Sequence, residues 1–190
     1  MFRLVDVLPD ATLLGIDISA ANVRAAECER SRHPHTERLR FVRGDYLEFS
    51  TAPVDVIVAD GVLQLIPGEV APIFEKLAHD VRPGGILICS TPYASFYNRV
   101  FSLFRTILAR AQSGWLDRLI LRLASAVYGR DMDDDRLRER VDYMYIAPER
   151  LMDPASHPSV ASAGFSVVHQ YPMETRFSQL KYSVTVLRRR

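Results

Sequence analysis

A mostly parallel α/β sheet with helices on its faces is the fold this sequence predicts, and three observations predict it. Short runs with little or no charge, Thr12–Ile16, Leu39–Val42, Val54–Ala59 and Ile86–Cys89, read as strands. Segments with helical spacing of their apolar residues, Ala20–Glu29 and Val70–Asp80, alternate with them, which is the signature of a parallel sheet. Near the carboxyl end, the short gap between Phe165–His169 and Tyr182–Leu187 suits an antiparallel pair at a sheet edge.

The chain has 190 residues, 48% of them hydrophobic, and a net charge of +1. That is the size and composition of one globular domain, 1–190, and it excludes a disordered chain or a strongly basic nucleic-acid binder. No apolar run is long enough to span a bilayer, and the N-terminus lacks the basic-then-apolar order of a signal peptide, so a cytoplasmic location is the expectation. The two cysteines, Cys28 in a predicted helix and Cys89 in a predicted strand, are too scattered for a disulfide framework or a metal site and read as free thiols.

Met1–Leu8 has apolar residues at 2, 4, 5, 7 and 8, the last turns of a helix ending before Pro9. A strand reading fails there, because too few residues separate it from the next strand for a parallel crossover. Thr12–Ile16 has the pattern of a strand buried on both faces, with Asp17 at its carboxyl end and Ser19 as the cap of the following helix. Arg30–Glu37 is a polar link whose histidines, His33 and His35, flank Pro34 and are expected on the surface. The turn Arg43-Gly44-Asp45-Tyr46 ends the second strand, and Val54–Ala59 runs into Asp60-Gly61. Val62–Ile66 is a short apolar segment stopped by Pro67, and Arg82-Pro83-Gly84-Gly85 terminates the Val70–Asp80 helix with strong breakers.

Beyond Pro92 the pattern changes. Ser95–Ala111 places Phe96, Tyr97, Val100, Phe101, Phe104, Ile107, Leu108 and Ala111 on one helical face, with Asn98, Arg99, Ser102, Arg105 and Arg110 away from it. Trp115–Tyr128 repeats the design after Gly114, and together these predict a helical insertion over about 93–145. Its expected role is a lid on the substrate edge of the sheet; the alternative is contact with a membrane surface or a lipid-like substrate. Asp131–Asp135 lacks the glycine and distal glutamate of a calcium loop and reads as a solvated acidic turn facing Arg136, Arg138 and Arg140. Ala147–Arg150 looks like a helix start cut by Asp153-Pro154, Ser159–Ala163 leads to Gly164, and Arg188–Arg190 reads as a frayed, solvated tail.

In open α/β sheets ligands bind outside the carboxyl ends of the strands, where an acid accepts hydrogen bonds from ribose hydroxyls. Asp17, Asp45 and Asp60 all stand at such ends. One acid of this kind also occurs in nicotinamide-binding folds, but the ordered set and the closing strand pair together resemble the class I S-adenosylmethionine-dependent methyltransferases of small-molecule type. The resemblance covers nearly the whole chain and implies a Rossmann-like sheet with a helical insertion after the family's fifth strand. Gly15–Ser19 matches the family's second strand, which implies that Asp17 and Ile18 hold the ribose side of S-adenosyl-L-methionine. Arg43–Tyr46 matches the turn after the third strand, which implies that Gly44, Asp45 and Tyr46 meet the adenine. Val54–Ile66 resembles the fourth strand and the segment beneath the methionine and sulfonium, which places Asp60 and Gly61 there.

The resemblance implies methyl transfer to a small-molecule or lipid-like acceptor, with Gln64, Tyr93 and Tyr97 as candidate substrate contacts. Tyr93, Tyr97 and His169 are candidates to assist a proton transfer, and no catalytic residue is assigned. The family's first strand, central in its sheet, and its glycine-rich turn would lie upstream of Met1, so a fragment or a misplaced start is the expectation, with activity reduced accordingly. Two other readings stay open: a non-catalytic methyltransferase-like module that pairs with another chain, and a nicotinamide-dependent oxidoreductase resting on Asp17 alone. No metal and no nucleic-acid partner is expected, and membrane contact would be at most peripheral.

Overall fold

The computed structural model describes residues 1–111, 113–128, 145, 146, 148, 150–173 and 179–190. They form two compact units, Met1–Ala52 and Pro53–Arg190, and each is described by itself. The acidic run 131–135 with Arg136, Arg138 and Arg140, and Ala147 and Glu149 of the helix start expected at 147–150, lie outside the described residues.

The first unit runs α1 (Phe2–Val7), β1 (Leu13–Asp17), α2 (Ala20–Arg30) and β2 (Leu39–Arg43). β1 and β2 pair in parallel, with Asp17 opposite Arg43. α2 starts where its cap predicts, with Ser19 Oγ accepting from Asn22 N at 3.3 Å. Arg38 donates to the carbonyls of Val5, Leu8 and Pro9 at 3.0, 2.8 and 2.8 Å, tying the end of α1 to the start of β2.

Two expectations fail in this unit. β1 is not buried on both faces: none of its residues is fully buried and Leu14 is exposed, because β1 and β2 form only a two-stranded sheet, against which α2 packs while Phe2 of α1 meets Phe41 at 5.7 Å. His33 is not a free surface histidine either. Its ring lies 5.4 Å from that of Phe2, and its Nε2 is 3.5 Å from Asp6 Oδ1.

The second unit runs β3 (Val54–Asp60), α3 (Val70–Asp80), β4 (Val81–Pro92), α4 (Phe96–Arg110), α5 (Gly114–Tyr128), α6 (Pro158–Ser162), β5 (Phe165–Pro172) and β6 (Tyr182–Arg189). Its four-stranded sheet has the order β3-β4-β6-β5, parallel between β3 and β4 and antiparallel elsewhere. The closing strands form the expected antiparallel pair at one edge of the sheet, with β6 against β4 and β5 outermost. The core gathers Phe74 and Leu77 from α3 with Leu87, Phe165 and Leu187 from the sheet. The Phe74 and Phe165 rings meet edge to face at 6.3 Å, the arrangement their quadrupoles favour.

The breakers Arg82–Gly85 do end α3, but they lie inside β4, which spans Val81–Pro92 rather than Ile86–Cys89. They form a bulge: Val54 pairs with Val81 while Val56 pairs with Ile86. Gly85 is required there, since a Cβ would come within 2.7 Å of Val81 Cγ1 and 2.8 Å of Asp55 O. The arginine tail is also structured, not frayed. Arg188 and Arg189 belong to β6, Arg189 Nη1 donates to Val81 O, and Arg190 N donates to Gly164 O at 2.9 Å.

α4 keeps only part of its expected inner face, with Leu108 still buried and Tyr97 and Phe101 half-buried. Asn98 and Arg105 are buried, while Phe96, Val100, Phe104 and Ile107 are exposed. Hydrogen bonding decides it. Asn98 Nδ2 donates to Tyr93 O and Lys181 O, both at 2.7 Å, and its Oδ1 accepts from Lys181 N at 2.8 Å. Arg105 Nη1 donates to Ile146 O at 3.2 Å, with its guanidinium 5.2 Å from the centre of the Phe101 ring. Apolar periodicity alone assigns both side chains to the solvent.

Candidate functional site

Asp17 ends β1, and the chain turns at once into α2. Its Oδ1 accepts from Ser19 N at 2.7 Å and its Oδ2 from Asn22 Nδ2 at 2.9 Å. An ionised carboxylate accepts about four hydrogen bonds, so each oxygen keeps capacity for a further donor. The side chain lines a cavity of about 210 Å³ with Gly15, Ile16, Asn22, Val23 and Phe41. Gly44 N donates to Asp17 O at 3.1 Å, bringing the turn after β2 beside the end of β1. In that turn Asp45 Oδ1 accepts from Leu47 N at 2.9 Å, Asp45 is exposed and Tyr46 is half-buried. Ile18 is largely exposed. The first unit thus groups Asp17, Ile18, Gly44, Asp45 and Tyr46 at the carboxyl ends of its two parallel strands.

In the second unit Asp60 ends β3. Ser90, on the neighbouring strand, donates its hydroxyl to Asp60 Oδ1 and accepts from Gly61 N at 2.8 Å. Gly61 has φ of 67°, a left-handed conformation that suits glycine and turns the chain into the short 3-10 helix Leu63–Leu65. Gln64 is almost fully buried. Its Nε2 donates to Gly61 O at 2.6 Å and to Tyr182 Oη at 3.4 Å, while its Oε1 finds no partner among the described residues. A buried amide oxygen without a donor costs about 1–3 kcal/mol, so Gln64 presents a carbonyl ready for one.

The remaining candidates separate. Tyr93 lines a second cavity of about 300 Å³ with Asp153, Gln170, Tyr171, Pro172 and Ser183. Gln170 Nε2 donates to Asp153 Oδ1 at 2.6 Å across that cavity. Tyr97 stacks on Phe101 at 5.7 Å, with Lys181 Nζ 5.2 Å from its ring centre. Burial raises its phenol above the ordinary value and Arg105 opposes the shift, so Tyr97 is protonated at neutral pH. His169 is exposed on edge strand β5, its ring 5.6 Å from Tyr171.

Sequence reasoning missed Asn22, Ser90, Asp153, Gln170 and Tyr182. Asn22 was legible, as an amide on the first turn after an acid and a serine cap. Ser90 and Tyr182 had no local signal, since only the β3-β4-β6 pairing brings them to Asp60 and Gln64. Cys28 is exposed and Cys89 buried, both as free thiols. Burial and, secondarily, Asp153 push the Cys89 thiol up to about 12, which leaves it inert. Among the described residues no cluster of His, Cys, Asp and Glu could hold a metal ion.

Residues 1–125 match the family described as "Methyltransferase domain". A stretch of 90 residues is 36% identical to trans-aconitate 2-methyltransferase of Azoarcus sp. strain BH72, covering 47% of this chain and 33% of that protein. The chain thus aligns with about a third of the length of that relative. Among solved structures, magnesium protoporphyrin IX methyltransferase from Synechocystis PCC 6803 with bound SAH superposes with a TM-score of 0.64 at 15% identity, over all of this chain and 68% of that one. PKMT2 from Rickettsia typhi in complex with AdoHcy gives 0.65 at 13% identity, over 98% and 45%. These two likenesses show the fold.

Proposed function

The chain belongs to the methyltransferase-domain family, and we propose that it binds S-adenosyl-L-methionine through Asp17 and takes part in methyl transfer to a small-molecule acceptor. The observation that carries this is the Asp17 carboxylate. It is fixed by Ser19 N and Asn22, keeps accepting capacity on both oxygens, and lines a cavity at the carboxyl end of a parallel strand. That is the chemistry a ribose diol requires. Gly44, Asp45 and Tyr46, beside Asp17 in the same unit, supply the adenine side in this reading.

When bound, this cosubstrate supplies an electrophilic methyl group, and displacement at that carbon depends mainly on proximity and alignment. The chain's own residues fit a positioning role. Asp60 and Gly61 are locked by Ser90, and Gln64 Oε1 is a buried free acceptor for a donor on either reactant. A base is not required of Tyr97, whose phenol is held protonated. The acceptor is assigned to the cavity of Tyr93, Asp153, Gln170 and Ser183. The carboxylate of Asp153 there favours a hydroxylated or cationic molecule over a polyanion. The small-molecule class is supported by the relative named trans-aconitate 2-methyltransferase, whose own substrate carries no further than that protein.

Calorimetric titration of S-adenosyl-L-methionine tests the reading, using the chain and a version extended upstream of Met1 in the same reading frame. Binding weakened about tenfold or more by Asp17→Ala is expected, the value of a charged hydrogen bond pair. Absence of binding by both proteins, or affinity indifferent to Asp17, overturns it.

A further inference from the structure

We propose that α4 and α5 dock on the surface of a bilayer that contains anionic lipid. The rotation of α4 from its expected facing carries the argument. With Asn98, Arg105 and Leu108 taking its inner face, the helix presents Phe96, Val100, Leu103, Phe104 and Ile107 outward, from 46% to 85% exposed. Their spacing places all five on one stripe of the helix. Arg99 and Arg110, both exposed, lie along one edge of that stripe.

α5 repeats the arrangement independently. Trp115, Leu119 and Leu123 recur every four residues and are exposed at 67%, 39% and 59%. Arg118 and Arg122, also exposed, run beside them. An outward apolar stripe edged by arginines is the design of a helix that lies in the membrane interface, its apolar side among acyl chains and its guanidiniums at lipid phosphates. No described helix is long and apolar enough to cross a membrane, so the geometry is that of lying on it.

Charge identifies the occupant. The two helices expose four arginines, Arg99, Arg110, Arg118 and Arg122, and contain a single carboxylate, Asp117, whose Oδ1 already accepts from Tyr145 Oη at 2.6 Å. A second copy of this surface would oppose arginine to arginine, whereas an anionic headgroup layer complements them. Membrane contact of this kind does not rest on cosubstrate binding, and its test involves no cosubstrate.

Trp115 is the only tryptophan of the chain, so its emission reports this surface directly. The whole chain is mixed with vesicles of phosphatidylcholine alone or of phosphatidylcholine with phosphatidylglycerol. With the anionic vesicles, a blue shift of the emission, quenching by brominated acyl chains and co-flotation are expected, each reversed by high salt. Leu103→Glu with Ile107→Glu, at exposed positions, abolishes co-flotation while the far-ultraviolet dichroism is kept. Arg118→Gln with Arg122→Gln weakens binding on the order of fivefold for each charge removed. An unshifted, unquenched Trp115 overturns the proposal, as does equal affinity for the two vesicle types. Self-association abolished by the Leu103 and Ile107 substitutions, without vesicle binding, also overturns it and makes the stripes an interface between copies.

Discussion

Asp17 and Asp60 stand at the same kind of place, the carboxyl end of an apolar parallel strand, and they are held in different ways. Asp17 is held by the turn it begins: its partners are Ser19 and Asn22, two and five residues on. Asp60 is held by Ser90, thirty residues away on the adjacent strand, which also accepts from Gly61 N. The first arrangement forms wherever the local sequence makes a strand end and a capped helix. The second exists only when β3 and β4 are in register. One motif, an acid after an apolar run, thus hides a local device in one case and a tertiary one in the other.

Breaking the long-range contacts should cost more than breaking the local ones. The largest effect is expected for Asn98→Ala, which strips partners from Tyr93 O, Lys181 O and Lys181 N; about 3 kcal/mol of stability should be lost, read from the denaturant midpoint. Ser90→Ala removes a buried hydroxyl that serves both Asp60 and Gly61, and about 2 kcal/mol is expected. Hydrogen exchange should rise around 54–61 and leave 13–30 unchanged. Ser19→Ala deletes an exposed cap and should cost about 1 kcal/mol, with the opposite exchange pattern. A Ser19→Ala effect that exceeds both of the others would invert the comparison.

The thiols extend it with the smallest effect at neutral pH. Cys28 is exposed on α2, whereas Cys89 lies buried in β4 with its thiol pushed up to about 12. A thiol reagent should label Cys28 and spare Cys89 until the chain is unfolded. The unfolded thiol ionises near its ordinary value of 9.0 while the native one stays protonated, so Cys89 favours the native state below pH 9 and that contribution is lost as pH rises from 9 towards 12. Rapid labelling of both cysteines in the native protein would show that β4 opens more readily than its burial implies.

The elements were legible where a local rule sufficed. The cap at Ser19, the acid ends of β1 and β3, the apolar face of α3 and the closing antiparallel pair all follow from patterns of a few residues. What was not legible came from contacts distant in sequence. Arg82–Gly85 reads as a break because proline and glycine end helices, yet the same residues make a bulge once β3 lies alongside. The arginine tail reads as solvated because charge at a terminus usually is, yet Arg189 reaches Val81 O. In the candidate site Asp17 and its neighbours were visible, while the Ser90 lock on Asp60 and the Tyr182 contact to Gln64 were not.

By itself the sequence determined the class of fold, the order of its strands along the chain and the acids at their ends, because periodicity, caps and turns are short-range physics. Only the tertiary structure decided which face of α4 turns inward. Helical periodicity counts apolar residues and assigns them to the core, but a buried face is chosen by the whole free energy of the contacts it makes. Asn98 brings three hydrogen bonds, one to Tyr93 just before the helix and two to Lys181, a residue that no window of the sequence around residue 98 contains. Forming them turns the apolar stripe outward.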